Sequence, residues 1–317
     1  MLKKYWKYIS IFFLLIATII FFKKDNTSSI SEDNKFHIEN ISLINKIFLA
    51  DRSGNTITLT KKGDTWIVND KFPARKDAIS VLLSTANKIR IKKPVSKAAF
   101  ENIVKQLATS SVYVEFFNED TMLKSYFIGS NTPDHLASYM LLKDSQYPFA
   151  VHIPSFNGFL SPRYGIQGNT IDVMKWRSNT IFQLSFKDIN YLKYTDLLDK
   201  ENSYVLKTNP IALFNSQNKS VKFNHNNVLT LLNNFESLNC ETYKKEKDKY
   251  NLENQIEELI VNSDTLRTYK ILKSKTKSKK DNFTVERKYA TLNNGELMLI
   301  QDYVFNKVLI NINELKK

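Results

Sequence analysis

A short pattern occurs twice in this chain, and a repeated pattern constrains the fold more than any bulk property does. The stretch "NEDTMLKSYFIG" at 118–129 is echoed by "NSDTLRTYKIL" at 262–272. Asp120-Thr121 lines up with Asp264-Thr265, Leu123 with Leu266, and Tyr126 with Tyr269. Other positions return at similar spacing. Ile44, Ile47 and Asp51 are matched by Ile189, Leu192 and Asp196. Leu82-Leu83, Ile89 and Ile91 are matched by Leu231-Leu232, Leu238 and Cys240, and Tyr139 and Leu142 by Tyr289 and Leu292. The order is kept while the spacing drifts, as loop insertions would produce.

The local pattern says what the repeated unit is. "NTITLTKKGDTWIVN" is a hairpin signal with Gly63 in the turn and Trp66 on the second strand. Ala78, Ile79, Leu82, Leu83 and Ala86 lie on one face of a helix. A short strand at Ile89 and Ile91 and a weak helix around 98–104 follow. "SVYVEFF", "MLKSYFIG", "ASYMLLKD" and "PFAVHI" then read as four strands of an antiparallel meander. The expected fold class is α+β: two tandem, duplicated modules of antiparallel sheet with a helix on one face, preceded by one N-terminal transmembrane helix.

The leader carries Lys3, Lys4 and Lys7, then an uncharged run from Tyr8 to Phe22, then Lys23 and Lys24. Fifteen helical residues rise roughly 22 Å, short of a bilayer core of about 30 Å, but flanking lysines snorkel and Tyr5, Trp6 and Tyr8 suit the interface. The run ends "IIFFKK", without the small residues of a cleavage site. An uncleaved signal-anchor is therefore expected. The lysine bias places the N-terminus in the cytoplasm and the bulk of the chain on the extracytoplasmic side of the inner membrane. The expected organisation is 1–24 anchor, 25–40 polar tether, 41–154 first module, 155–180 ordered joint and 181–317 second module.

At the joint the chain resembles a known group. The order of "WIVN", the "YFIG" strand, "VHIPSFNGFLSPRY" and "WRSNTIFQLSFKDI" is similar to the bacterial domain-of-unknown-function family 4340, over roughly 45–310. The resemblance implies an anchored envelope protein whose genes lie beside those of ABC-type transporters of the gliding-motility kind. It carries no functional residue with it.

Chemistry-bearing patterns are thin. His37, His135, His152 and His225 form no H-E-x-x-H and no Cys/His cluster, so no metal is expected. There is no G-x-S-x-G, and the acid pairs Glu119-Asp120 and Glu257-Glu258 read as solvated strand edges. Cys240 is the single cysteine, expected as a small buried hydrophobe in a strand. No catalytic residue and no cofactor are expected.

Net charge is +14, and its densest run holds Arg267, Lys270, Lys273, Lys275, Lys277, Lys279 and Lys280. The run is a candidate contact for a partner or an anionic surface, set against a solvated hairpin tip. It lacks the interleaved aromatics of a nucleic-acid groove, and no nucleic acid is expected. Arg163, Tyr164, Trp176 and Arg177 are candidates for pinning the joint or for binding. The sequence points to a non-catalytic, membrane-anchored accessory or scaffold protein that binds other envelope proteins. A hydrolase or peptidase with a dispersed site, and a lipid- or glycan-binding module, are the alternatives.

Overall fold

β-Branched and aromatic residues alternate with polar ones along the strands, which build two large antiparallel sheets. The structure, a computed structural model, describes residues 35–244, 255–271 and 286–316. The chain divides into two units, one ending at Trp176 and the other starting at Arg177.

In the first unit the strands are β1 (Lys46–Ala50), β2 (Thr56–Lys62), β3 (Thr65–Val68), β4 (Phe72–Pro73), β5 (Arg90–Pro94), β6 (Val112–Asn118), β7 (Thr121–Asn131), β8 (Ser138–Leu142) and β9 (Phe149–His152). They form one sheet in the order β4-β3-β2-β1-β6-β7-β8-β9-β5. Two small ribbons follow, β10 (Ile166–Gln167) with β11 (Thr170–Ile171), and β12 (Thr180–Phe182) with β17 (Leu238–Asn239). The second unit holds β13 (Tyr191–Asp196), β14 (Tyr204–Thr208), β15 (Ile211–Asn215), β16 (Ser220–Val221), β18 (Thr242–Tyr243), β19 (Gln255–Val261), β20 (Asp264–Lys270), β21 (Arg287–Leu292) and β22 (Leu297–Gln301). Their order is β16-β15-β14-β13-β19-β20-β21-β22-β18. Taken strand for strand, the two orders are the same.

Helix α1 (Lys76–Lys88) buries Ile79, Leu82 and Ala86 of the expected stripe, holds Ala78 and Leu83 partly buried against the same core, and adds Thr85. Helix α2 (Lys97–Ser110) buries only Ile103 and Leu107. It reaches the opposite face of the sheet at Gly129, where a β-carbon would lie 2.7 Å from Leu107 Cδ2, so the missing side chain lets the helix settle. In the second unit α3 (His225–Asn233) is the counterpart of α1, burying Val228, Leu231 and Leu232. The chain closes with α4 (Asp302–Phe305) and α5 (Ile312–Lys316).

Residues 35–40, the end of the polar tether expected over 25–40, pack against the first unit, and residues 25–34 lie outside the described residues. Phe36 and Ile38 are buried in the first core, and the Ile38 N–H donates to Ala86 O at 2.9 Å. Two apolar side chains among polar neighbours are enough to seat a segment against a helix. Leu184 does the same in the second unit, its N–H donating to Phe235 O at 2.9 Å. No helix among the described residues is long and apolar enough to cross a membrane. The expected anchor, residues 1–24, lies outside the described residues.

Each unit also repeats a loop lock. Asp51, after β1, accepts from the Ser53 and Asn55 N–H groups and from Asn55 Nδ2 at 2.8 Å. Asp196, ending β13, accepts from the Leu198 and Asp199 N–H groups and from Asn202 Nδ2 at 2.9 Å. Burial pushes the Asp51 carboxyl up, but hydrogen bonds from Asn55, Ile171 and Ser53 outweigh it and hold the pKa below the usual carboxylate value. A depressed folded pKa contributes stability above the unfolded pKa and loses it as pH falls through the folded one. Asp51→Ala is therefore expected to cost about 2–3 kcal/mol at neutral pH. In urea titrations across pH, the gap to the parent should close below about pH 4.

Candidate functional site

The best-furnished polar constellation sits on the core face of the second sheet, at one end of it. On β19, Leu259 and Val261 point into the core, so the two-residue period turns Glu257 inward and Glu258 outward. The register sets Glu257 opposite Asp196 on one side and Thr268 on the other. Lys288 on β21 reaches it with Nζ at 2.9 Å from Oε2 and 3.2 Å from Oε1. Thr268 Oγ1 donates to Oε2 at 2.7 Å, and Tyr194 Oη donates to Oε1 at 3.3 Å. The same ammonium lies 3.5 Å from Asn306 Oδ1 and 3.8 Å from Asp302 Oδ1.

Glu257 and Lys288 are 13% and 16% exposed, so the pair works in a largely dry setting. Burial raises the Asp302 pKa against the pull of Lys288. Burial, then the Glu257 charge, drives the Tyr194 hydroxyl far up, so it stays neutral and donates. Tyr204 pairs with Tyr194 across the β13–β14 ladder, and its buried hydroxyl has no hydrogen-bond partner. The ladder equivalents of Tyr194, Tyr204, Glu257, Thr268 and Lys288 in the first unit are Leu49, Ile57, Val112, Ile128 and Ser138. All five are buried, and four are aliphatic. The polar group is therefore peculiar to the second unit.

The Glu257 and Lys288 head groups are both engaged, whereas Asp302 Oδ1 and the Tyr204 hydroxyl beside them are buried without a hydrogen-bond partner. Both Glu257 oxygens are occupied, and Lys288 is engaged by two acids and an amide, so neither presents a free atom for proton transfer or attack. The expectation that Glu257 lies at a solvated edge is corrected here. Adjacent acids on a strand face opposite sides, and only Glu258 looks outward.

The candidates from sequence fall in different places. Arg267 faces outward on β20 opposite Glu258 and pairs with it at 3.0 Å, so it is a cross-strand partner rather than a free cation. Lys270 is exposed at the end of β20, while Lys273, Lys275, Lys277, Lys279 and Lys280 lie outside the described residues. Arg163 donates from Nε to Thr85 Oγ1 at 2.7 Å and covers the Phe156 ring. Tyr164 is fully buried, its Oη 2.8 Å from Tyr126 Oη. Trp176 is buried in the first core and Arg177 in the second unit, its guanidinium 3.5 Å from the centre of the Tyr243 ring and paired with Glu296. Cys240 follows β17, and burial pushes its thiol up to about 11.

Burial raises the hydroxyl pKa of both Tyr126 and Tyr164, so the pair shares one neutral hydrogen bond. Tyr126→Phe and Tyr164→Phe should each cost about 1–2 kcal/mol by stranding the other hydroxyl, and the double variant should cost less than the sum. Denaturant midpoints of the four proteins check this.

Among the described residues no group of three or more His, Cys, Asp or Glu is placed to hold a metal ion. Among known families, the model described as a domain of unknown function (DUF4340) matches residues 66–255, a span crossing from the first unit into the second. No curated protein and no solved structure matches the chain.

Proposed function

The chain belongs to the DUF4340 family, and on that premise we propose that it is a non-catalytic accessory protein of the bacterial envelope. Residues 1–24 hold it in the inner membrane, and its two units, duplicates of one module, bind other envelope proteins on the extracytoplasmic side. The observation that carries this reading is the mutual engagement of Glu257 and Lys288, whose head groups are held by one another and by Thr268 and Tyr194. Side chains arranged in that way brace a fold.

The identical strand orders support duplication, and two like units in one chain suit a protein that offers related surfaces to one assembly. The lysine-flanked apolar leader supports the anchor. The resemblance noted from sequence supports an ABC-type transporter complex of the gliding-motility kind as the partner.

Photo-crosslinking of the full chain in cells, followed by identification of the captured proteins, tests the proposal. The expected result is a small set of envelope proteins captured above background, unchanged in Glu257→Gln. Turnover of an ester or peptide substrate by the purified chain, abolished in Glu257→Gln, together with no capture above background, overturns it.

A further inference from the structure

The first unit carries a charged sheet edge that the accessory-protein reading leaves unassigned. Its sheet ends at β5 on one side and at the two-residue β4 on the other, so the five-residue β5 is the longer edge. Among the described residues β5 pairs only with β9, and the main-chain groups of its other side have no strand against them. An open edge is a template for an added strand, and charge decides which strand can approach it.

Charge along this edge is one-sided. From Ala78 to Phe100 the chain holds Lys88, Arg90, Lys92, Lys93 and Lys97, all exposed, and no acid. Among the described residues one acid pairs with any of the five, Asp134 with Lys92 at 3.0 Å. Glu39 turns to His37 instead. A bulge between the rungs of Ile91 and Lys93 inserts Lys92 and re-aims the side chains there. Neighbouring groups feel the cations: burial first, then Lys92, lowers the His152 pKa, and burial first, then Arg90, lowers that of His37. Past the end of β5 the Val95 N–H donates to Pro148 O at 3.3 Å, which brings in the loop of Tyr147. Tyr147 is 65% exposed, its ring 6.0 Å from that of Phe100 on α2.

Lysines, a bulge and Pro94 keep an edge from pairing with its own kind, because a second copy brings the same charge. An acidic strand brings the opposite sign, and its main chain satisfies groups that a lipid headgroup leaves unpaired. An exposed tyrosine at the end of such an edge is a suitable anchor for one apolar side chain.

We propose that the β5 edge of the first unit receives an extended acidic segment of a partner protein, added as a strand. Its carboxylates face Arg90, Lys93 and Lys97, and an apolar residue rests on Tyr147 and Phe100. The inference rests on the accessory-protein reading and deepens it, naming one binding surface and the chemistry of what it takes.

The full chain in neutral detergent, titrated into a fluorescein-labelled peptide of alternating glutamate and valine, tests this by anisotropy. Binding is expected, and Lys93→Glu/Lys97→Glu should weaken it by about tenfold or more. Neither lysine makes an ion pair among the described residues, so the urea midpoint of the double variant should match the parent's. The same peptide N-methylated at alternate residues keeps its charge but cannot complete a ladder, and it should bind about tenfold more weakly. No binding of the acidic peptide, equal binding by the double variant, or equal binding of the N-methylated peptide overturns the proposal. Phosphatidylglycerol vesicles that bind the parent and not the double variant, with peptide binding unchanged, assign the edge to lipid and overturn it too. Envelope proteins captured by crosslinking while the peptide fails to bind contradict the edge alone and leave the accessory reading standing.

Discussion

Replacing Lys288 with methionine is expected to lower the stability of the second unit by about 3–5 kcal/mol, the usual cost of stranding one side of a buried ion pair. The substitution keeps the side chain's bulk and removes only the cation. Glu257 and Asp302 would then face each other in a site that water reaches poorly. The outward pair Arg267–Glu258 is the control, with 26% and 23% of its side chains exposed. Arg267→Met should cost no more than about 1 kcal/mol. The pH dependence has a definite sign. Asp302 already has a raised pKa, from burial first. A carboxyl raised in the folded state makes that state bind more protons than the unfolded one, so stability falls as pH rises through the shifted range. Without Lys288, whose charge pulls it down, the Asp302 carboxyl moves further in that direction. The deficit of Lys288→Met should therefore shrink as pH is lowered toward about 4, and urea unfolding across pH reads it.

Gly165→Ala is expected to cost about 2–4 kcal/mol, from two sources that can be separated. Gly165 ends the turn at Ser161–Tyr164 with φ +68°, a left-handed conformation that costs a side-chain-bearing residue about 1–2 kcal/mol. A β-carbon there would also lie 2.7 Å from Trp176 Nε1 and 2.9 Å from two carbons of the ring. Trp176 is 1% exposed and packed in the first core, so it has little room to move, and overpacking of this kind costs about 1–3 kcal/mol. Gly168 has φ +60° with nothing within 4 Å of the added carbon, so Gly168→Ala isolates the backbone cost. The difference between the two variants in guanidinium unfolding measures the clash, and Trp176→Phe should relieve part of it.

The repeat was legible in the sequence, but not through every match that suggested it. Ile44 and Ile189 are both buried, as are Ile47 and Leu192, and Asp51 and Asp196 lock equivalent loops. Tyr139 and Tyr289 occupy equivalent rungs, opposite Ala150 and Leu299. The motif at 118–129 misleads in register. Its match with 262–272 aligns the two hairpin tips, where Glu119 and Asn262 both have positive φ. The first hairpin is longer and carries a bulge between Phe116 and Phe117, so Tyr126 takes the rung of Leu266 and Gly129 that of Tyr269. Similarity along a strand cannot count residues inserted in the strand before it.

The Glu257 group was hidden for a related reason. Its members lie on β13, β19, β20, β21 and α4, and only pairing brings them together. One signal was present. Leu259 and Val261 set the inward phase of β19, and Glu257 shares it, whereas Glu258 does not. An acid in phase with a buried apolar stripe needs a partner, and sequence does not say which lysine supplies it. Tyr164 and Trp176 stand out in the sequence by residue type, and their burial gives them packing roles.

Alkaline extraction of membranes from cells making the native chain, with the N-terminus of the retained protein determined, tests the account most directly. A protein that stays with the membrane pellet and still begins within residues 1–24 is the predicted result. Recovery in the wash, or a mature chain that starts beyond Lys24, would contradict it.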